Sequence, residues 1–543
     1  MTERARSFWG WGYADKFPDD ETRRGVAAQV SAMLGFDALT VRAPPSFEGI
    51  ALRAPRVSIP DALAAFTTSD KRARVTHTYG RSYRDLVRGF SGDFTPAPDA
   101  VARVRDEDDV RAVLEWGSRA RVAVIPFGGG TSVVSGVEGD VSDRYAGVVS
   151  LDLCALDRVL EVDETSRAAR IQAGVKGPHL EEQLAPHGLT LRHFPQSFEF
   201  STLGGWIATR AGGHFATVYT HIDDLVESVR MLTPAGGAWE SRRLPASGAG
   251  PSPDRIVLGS EGALGVITEA WMRLFPRPKY RASASVHFSS FDDAVLATRR
   301  IAQSGLFPTN CRLLDSNEAA LNFVTSADYE PGSHVLLLGF ESADHPCDAW
   351  IDRAASLAQE HGGRIPRGVI KKSAGDKVEA GGAASSWRAA FLEAPYLQSV
   401  LVSLGLVVDT FETACTWDRF PKLHASVLAA VNDAMRKACG GGRVNCRFTH
   451  VYPDGPAPYY TFVAQGRVGQ ELEQWWAIKR AASDALIEHG ATITHHHAVG
   501  RLHRPWYDRQ RPEAFAVALA AMKHALDPEA ILNPGVLLDP SVK

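Results

Sequence analysis

Three consecutive histidines, His495-His496-His497, stand before Ala498-Val499-Gly500 near the end of the chain. An imidazole titrates close to neutrality, so a positioned histidine can take or give a proton beside a carbonyl. Tyr459 is a second candidate for proton handling; on its own, a packed aromatic with a satisfied hydroxyl is the plainer reading. Arg312, in Cys311-Arg312-Leu313, and Arg447, in Cys446-Arg447, carry planar guanidinium groups. Such a group holds a phosphate or carboxylate through paired hydrogen bonds, and it equally serves a structural ion pair. Glu412 and Asp418, in Phe411-Glu412-Thr413-Ala414-Cys415-Thr416-Trp417-Asp418, could act as acid–base groups, with a cap or a salt bridge as the plainer role. In an extended segment His495 and His497 face one way and His496 the other. Adjacent histidines also suit a metal ion, but no acidic or cysteine ligand stands at metal spacing beside them, so no metal is expected.

A second set of residues suits an anionic cofactor. The stretch Pro126-Phe127-Gly128-Gly129-Gly130-Thr131-Ser132 follows residues 121–125, a β-branched run that reads as a buried strand. Successive glycines remove every Cβ at the turn, so backbone N–H groups can approach a pyrophosphate, and Thr131 and Ser132 add hydroxyls. No Gly-Lys-Ser/Thr follows, so this is not a P-loop, and the third glycine of a dinucleotide fingerprint falls on Val133. Further on, Gln196-Ser197-Phe198-Glu199-Phe200-Ser201-Thr202 leads into Leu203-Gly204-Gly205 and then Thr209-Arg210-Ala211-Gly212. Ser201 and Thr202 can cap a helix whose first turn holds two glycines; each costs about 1 kcal/mol against alanine, which implies that something must come close. The third stretch, Gly259-Ser260-Glu261-Gly262-Ala263-Leu264-Gly265, runs into a strand at Val266-Ile267-Thr268 and suits backbone contacts to a flat ring or a ribose. Taken singly, each stretch also reads as an ordinary turn.

These groups need a scaffold, and the chain is long enough to supply one. Its 543 residues suit two to four domains with large cores. A net charge of −4 supplies no field for nucleic acid, so no nucleic-acid partner is expected. The six cysteines form no CxxC pair or regular framework, which reads as reduced thiols in the cytoplasm. No secretory leader or membrane-spanning run is recognised. Residues 96–277 alternate strands and helices: helices are expected at 108–116 and 179–187, and strands at 147–153 and 170–173. Residues 278–480 form an expected substrate domain with strands at 281–288 and 333–340 and helices at 294–304 and 347–361. Residues 1–95 read as a helical N-terminal region, with a short amphipathic helix at 83–90, and 481–543 as a segment completing the site. Residues 365–386, rich in Gly, Lys and Ala, read as a mobile loop. Arg367, Lys371 and Lys372 within it, with Arg364 just before it, suggest peripheral contact with a membrane surface, here the inner face.

The three glycine-bearing stretches, in this order and spacing, resemble the PCMH-type FAD-binding domain of the vanillyl-alcohol oxidase superfamily. The resemblance implies an α+β fold: a two-subdomain FAD-binding domain plus a cap domain with an antiparallel sheet. It implies FAD, with its pyrophosphate at the first glycine loop and its ring near the domain boundary. Members that attach FAD covalently often use a histidine in that loop; none stands there, so non-covalent FAD is expected. Four further features are Trp9-Gly10-Trp11-Gly12-Tyr13, Cys311-Arg312-Leu313, the stretch from Phe411 to Asp418, and Cys446-Arg447 with Tyr459 and the triple histidine. Together they resemble the alkyldihydroxyacetonephosphate synthase family over residues 7–535. That resemblance implies catalytic roles for Tyr459, Arg312, His495, His496 and His497, and substrate binding by Arg447. It implies exchange of the acyl group of acyl-dihydroxyacetone phosphate for a fatty alcohol without net redox change, the flavin serving as an electron sink. The partners so implied are a phosphorylated ketone lipid and a fatty alcohol; a homodimer is left open. One departure bears on substrate: Gln398 follows Pro395-Tyr396-Leu397 where the family usually has arginine. The alternative is an FAD-dependent dehydrogenase or oxidase of a 2-hydroxy acid, which typically carries Glu-His-Gly near the triple histidine; that glutamate is absent.

Overall fold

The β-branched run before the glycine loop forms the strand Val122–Phe127, entirely buried but for Pro126. The computed structural model describes residues 4–323, 330–373 and 394–539. The helix before the strand runs Glu107–Ala120. Asp106 caps it by accepting from the Asp109 N–H, and three acidic residues follow in the first turn, where the helix dipole favours them. An added Cβ on Gly117 would lie 2.8 Å from Val124, so this glycine lets helix and strand touch. The strand joins a four-stranded sheet with Thr67–Thr68, Ala100–Arg103 and Gly147–Asp152. A five-stranded antiparallel sheet follows, ordered Val159–Asp163, Ala168–Gln172, Val266–Arg273, Val226–Leu232, Ala238–Glu240. The expected helix at 179–187 is an α-helix, Gly177–Leu184, tightened into a 3-10 turn and stopped by Gly188 at φ 67°.

The second half is built on a seven-stranded antiparallel sheet. Its order is Ile370–Lys372, Tyr280–Phe288, His334–Ser342, Asn310–Leu314, Arg443–Val451, Pro456–Gln465, Leu406–Glu412. Helix Phe420–Cys439 buries Phe420, Leu423, Val427, Val431 and Met435, a stripe at helical spacing packed into the same core as Phe411, Phe448 and Phe462. Burying each such side chain stabilises the fold by about 1.5–3 kcal/mol. The register places Glu412 opposite Tyr459, and Tyr459 opposite Arg447, so three candidate groups cross three neighbouring strands in one row.

Two expectations are corrected. Residues 494–500 are neither strand nor helix, so the simple alternation expected for His495, His496 and His497 does not apply. The start of the expected mobile loop is a strand, Ile370–Lys372, paired with Tyr280–Phe288; Lys371 meets Asp348 and Asp352 there, and Arg364 meets Glu330. The rest of that loop, from 374, lies outside the described residues. In the early aromatic cluster, Trp9 meets Phe17 and Phe90 edge-on, while Trp11 reaches a cavity. The cysteines at 154, 311, 347, 415, 439 and 446 are free, and among the described residues no helix is long and apolar enough to cross a membrane.

Candidate active site

A cavity of about 690 Å³ runs between the glycine loops and the seven-stranded sheet. Pro126, Phe127, Gly128, Gly129, Gly130, Thr131 and Ser132 all line it, as do Gln196, Ser197, Ser201, Thr202, Thr209, Ala211, Gly212, Glu261, Gly262, Gly265 and Ile267. The glycines are there chiefly because other parts of the protein come close. A Cβ on Gly129 would lie 2.0 Å from the Phe200 carbonyl oxygen, one on Gly128 2.3 Å from Thr202 Oγ1, and one on Gly204 2.7 Å from Ala173. Gly205 differs: its Cβ would meet only Thr202 Oγ1, at 3.2 Å, so its Cα faces the cavity. Arg81 Nε, Thr449 Oγ1 and Asn533 Oδ1 are buried without a protein partner among the described residues, and their residues line the cavity. The amides of Gly129, Gly130 and Thr131 donate to no backbone carbonyl among the described residues. Unspent donors beside a glycine cradle fit a phosphate-bearing cofactor such as FAD.

Several residues expected at the cofactor lie behind this wall. Phe198 packs on Phe194 and Trp206, and Phe200 on Tyr13 under the Arg6 guanidinium. Glu199 accepts from the Tyr396 hydroxyl at 3.2 Å, and Arg210 pairs with Asp223 at 2.7 Å. Ala263, Leu264 and Val266 are buried in the cores of the cofactor half. The short-range pattern marked the right turns without showing which side chains face inward.

Arg447, Tyr459, His496 and His497 also line the cavity, with His450, Lys479 and Gln398. The Tyr459 hydroxyl donates to Thr410 Oγ1 at 3.0 Å, and burial raises its pKa. The Tyr459 ring stacks on His496, centroids 6.0 Å apart, and meets His497 edge-on at 5.5 Å. Arg447 pairs with Glu318 at 2.5 Å, and Lys479 with Asp409 at 3.2 Å. Burial pushes His496 down to about 3 and His497 to about 4, so both rings are neutral bases at ordinary pH. Gln398 accepts from Trp11 Nε1 at 3.0 Å, which ties the N-terminal aromatic motif to the cavity wall. Arg312, expected at the reacting groups, is fully buried, is pushed down to about 9 by burial, and donates to the His214 carbonyl at 3.1 Å. It lies off the cavity wall and supports it.

Glu412, read from the sequence as an acid–base group or, more plainly, a cap or salt bridge, organises the histidine segment. Its carboxylate accepts from the backbone N–H of His495, His496 and His497 at 2.5, 3.2 and 3.0 Å, and from Thr494 Oγ1 at 2.6 Å. Burial alone would raise its pKa; the imidazoles and the Thr494 hydroxyl outweigh burial and hold it well below the ordinary carboxylate range. Just beyond, Glu261 accepts from the N–H of Val499 and Gly500 at 2.9 and 2.8 Å.

Models of an FAD binding domain and of the C-terminal domain of FAD linked oxidases match residues 98–241 and 277–537. Fold and cavity together therefore define an FAD-dependent flavoprotein. The chain is 30% identical to the alkyldihydroxyacetonephosphate synthase of Dictyostelium discoideum, over 97% of this chain and 86% of that one. It is also 30% identical to the Trypanosoma brucei brucei synthase, over 86% of this chain and 78% of that one. A solved alkyldihydroxyacetonephosphate synthase superposes with a TM-score of 0.78 at 26% identity, covering 97% of this chain and 98% of the other. The chain belongs to the alkyldihydroxyacetonephosphate synthase family. The structure of p-cresol methylhydroxylase, 15% identical with a TM-score of 0.66, covers 88% of this chain and 95% of its own, and shares the fold.

Proposed function

We propose that this chain exchanges the acyl group of an acyl-dihydroxyacetone phosphate for a fatty alcohol, making an ether bond with no net redox change. The observation that supports this best is the mixed lining of the cavity. Arg447, Lys479, Tyr459, His496 and His497, with Glu318 and Asp409 paired to the two cations, make one part polar and rich in proton-handling groups, while Val26, Val30, Met33, Leu34, Leu397 and Leu401 make another part apolar. A phosphorylated ketone that carries a long chain uses both; a small 2-hydroxy acid uses only the first.

In this reading Arg447 and Lys479 bind the phosphate. Neutral His496 or His497 takes the proton beside the ketone, and the protonated Tyr459 hydroxyl orients the carbonyl or returns a proton. FAD, when bound, supplies an electron sink for the carbon at which exchange occurs. The cradle of Gly128, Gly129 and Gly130, with Arg81 and Asn533, would hold it. That loop carries no histidine, so FAD is held without a covalent bond.

Purified protein given acyl-dihydroxyacetone phosphate and a fatty alcohol should release fatty acid without an electron acceptor. Acid precipitation should leave the yellow flavin in solution. Reduction of a dye by a 2-hydroxy acid, without fatty-acid release, would move the function to a dehydrogenase. The same proposal extends to long-chain substrates drawn from the inner face of the cytoplasmic membrane. Flotation with anionic vesicles tests that extension, and protein left at the bottom of the gradient would remove it.

A further inference from the structure

Behind His496 the wall holds a row of rings for which the proposed reaction has no stated use. His221 is half-buried, and its Nδ1 lies 3.0 Å from the Arg210 carbonyl oxygen in a hydrogen bond that is open to solvent. A carbonyl only accepts, so the proton is on His221 Nδ1 and its Nε2 carries a lone pair. His495 Nε2 lies 3.1 Å from His221 Nε2, so the proton between them belongs to His495. His495 Nδ1 is then an acceptor, and His496 Nδ1, 3.1 Å away, is the donor. The Glu412 carboxylate, 3.6 Å from His496 Nδ1, favours a proton there. His496 Nε2 is left with a lone pair on a ring that lines the cavity. Tyr452 Oη sits 2.8 Å from His495 Nε2 and 2.9 Å from Thr220 Oγ1. Donation from Tyr452 to His495 would set two lone pairs face to face at His221, so Tyr452 accepts from His495 and donates to Thr220. One backbone carbonyl therefore sets every tautomer, and all the N–H bonds point from the cavity outward.

We propose that His496, His495 and His221 form a proton exit relay with His221 as its solvent terminus. The proposal rests on the transferase reading, which needs such an exit. In that reaction the C–O bond to the acyl group breaks and the C–O bond to the alcohol forms. The fatty acid leaves as a carboxylate, and the alcohol's hydroxyl proton is left over, with no electron gained or lost. A proton taken at His496 Nε2 displaces the Nδ1 proton to His495 Nδ1. The His495 Nε2 proton then moves to His221 Nε2, and His221 Nδ1–H goes to water. Ring rotation restores the starting order, because a lone pair against the Arg210 carbonyl is unfavourable. His450, whose ring lies 5.0 Å from that of His495, is outside the relay: its Nε2 donates to the Gly213 carbonyl at 2.9 Å.

The test uses the flavin-loaded full chain in weak buffer, with fatty-acid release as the readout. His221→Ala should lower turnover by about 10-fold to 10²-fold, with KM and flavin absorbance unchanged. Added imidazole should restore the variant in a saturable way and leave the parent protein unaffected. His221→Gln, which can bond but cannot relay, should lose activity too; if His221→Ala purifies colourless, this variant carries the test alone. Full activity of His221→Gln, or a loss in a flavin-loaded His221→Ala that imidazole does not restore, overturns the relay. If the parent protein itself releases no fatty acid, the transferase reading falls and the relay with it, an outcome visible before any variant is made.

Discussion

The guanidinium carbon of Arg447 lies 3.9 Å from the centre of the Tyr459 ring, on the neighbouring strand and directly opposite in register. A planar cation over an aromatic face is attracted by about 0.5–2 kcal/mol, depending on how dry the site is. Lysine keeps the charge and loses the plane. Arg447→Lys is expected to raise KM roughly tenfold and to lower turnover as well. Steady-state kinetics check this; an unchanged KM would take Arg447 out of substrate binding.

Tyr459→Phe removes one hydroxyl and keeps the ring under Arg447. Turnover should fall by about 10²- to 10⁴-fold, the usual worth of a proton-transfer group. Among the described residues the hydroxyl's one hydrogen bond is to Thr410, so stability to denaturant should fall by no more than about 1 kcal/mol. Full activity in fatty-acid release would exclude a role for Tyr459 in proton handling.

Glu412→Gln replaces an acceptor-only group by one whose amide N–H₂ faces other donors. Four hydrogen bonds end on this carboxylate, and a charge-assisted bond contributes about 1.5–3 kcal/mol. The variant should lose several kcal/mol of stability at most, retain flavin, and lose more turnover than substrate affinity. Urea titration alongside kinetics separates these effects.

Gly129→Ala and Gly205→Ala form an instructive pair. The first puts a Cβ 2.0 Å from a backbone oxygen, and backbone cannot swing aside, so the protein should purify poorly or without flavin. The second has no such clash and gains about 1 kcal/mol of helix propensity. It should fold at least as well as the parent yet bind FAD more weakly, because the methyl projects into the cavity. Flavin titration of the stripped protein reads the difference.

Stability should fall on acidification. Burial pushes His424, His497 and His503 down to about 4 and His496 to about 3, from an ordinary 6.5. Above that ordinary value neither folded nor unfolded chain binds these protons, and the contribution is fully present. Below it the unfolded chain takes up protons that the folded chain refuses, so stability is lost by up to about 1.4 kcal/mol per group per pH unit. Glu261 runs the other way: burial pushes it up to about 7, so the folded chain holds a proton that the unfolded chain gives up above 4.5. The histidines outnumber it. Urea midpoints should drop between about pH 7 and pH 5, and Glu261→Gln should make the drop steeper.

The elements of the cofactor half were legible because their signals are local. The acidic first turn marks the helix Glu107–Ala120, and Gly188 stops the turn that ends Ala185–His187. The glycines were legible as places of close approach, but not what approaches: for Gly129 it is Phe200, 71 residues on, and such a partner has no trace in a local pattern. The triple histidine was legible as a cluster and its shape was not, since the carboxylate that folds residues 494–497 comes from Glu412, 83 residues before His495. His221 escaped notice because a single histidine outside any motif acquires meaning only from its neighbours. Arg312 shows the converse: its motif was legible, and only packing reveals that it stands behind the wall.

The carboxylates that take up the amides of 495–497 and 499–500 come from opposite halves, Glu412 from the seven-stranded sheet and Glu261 from the turn before Val266–Arg273. The histidine segment is thus a coincidence detector for assembly. If either half folds alone, one carboxylate is missing and the imidazoles lose their arrangement. In the proposed reaction, a nascent or half-unfolded chain would therefore lack the arranged bases and could not begin proton abstraction on a substrate it could not finish.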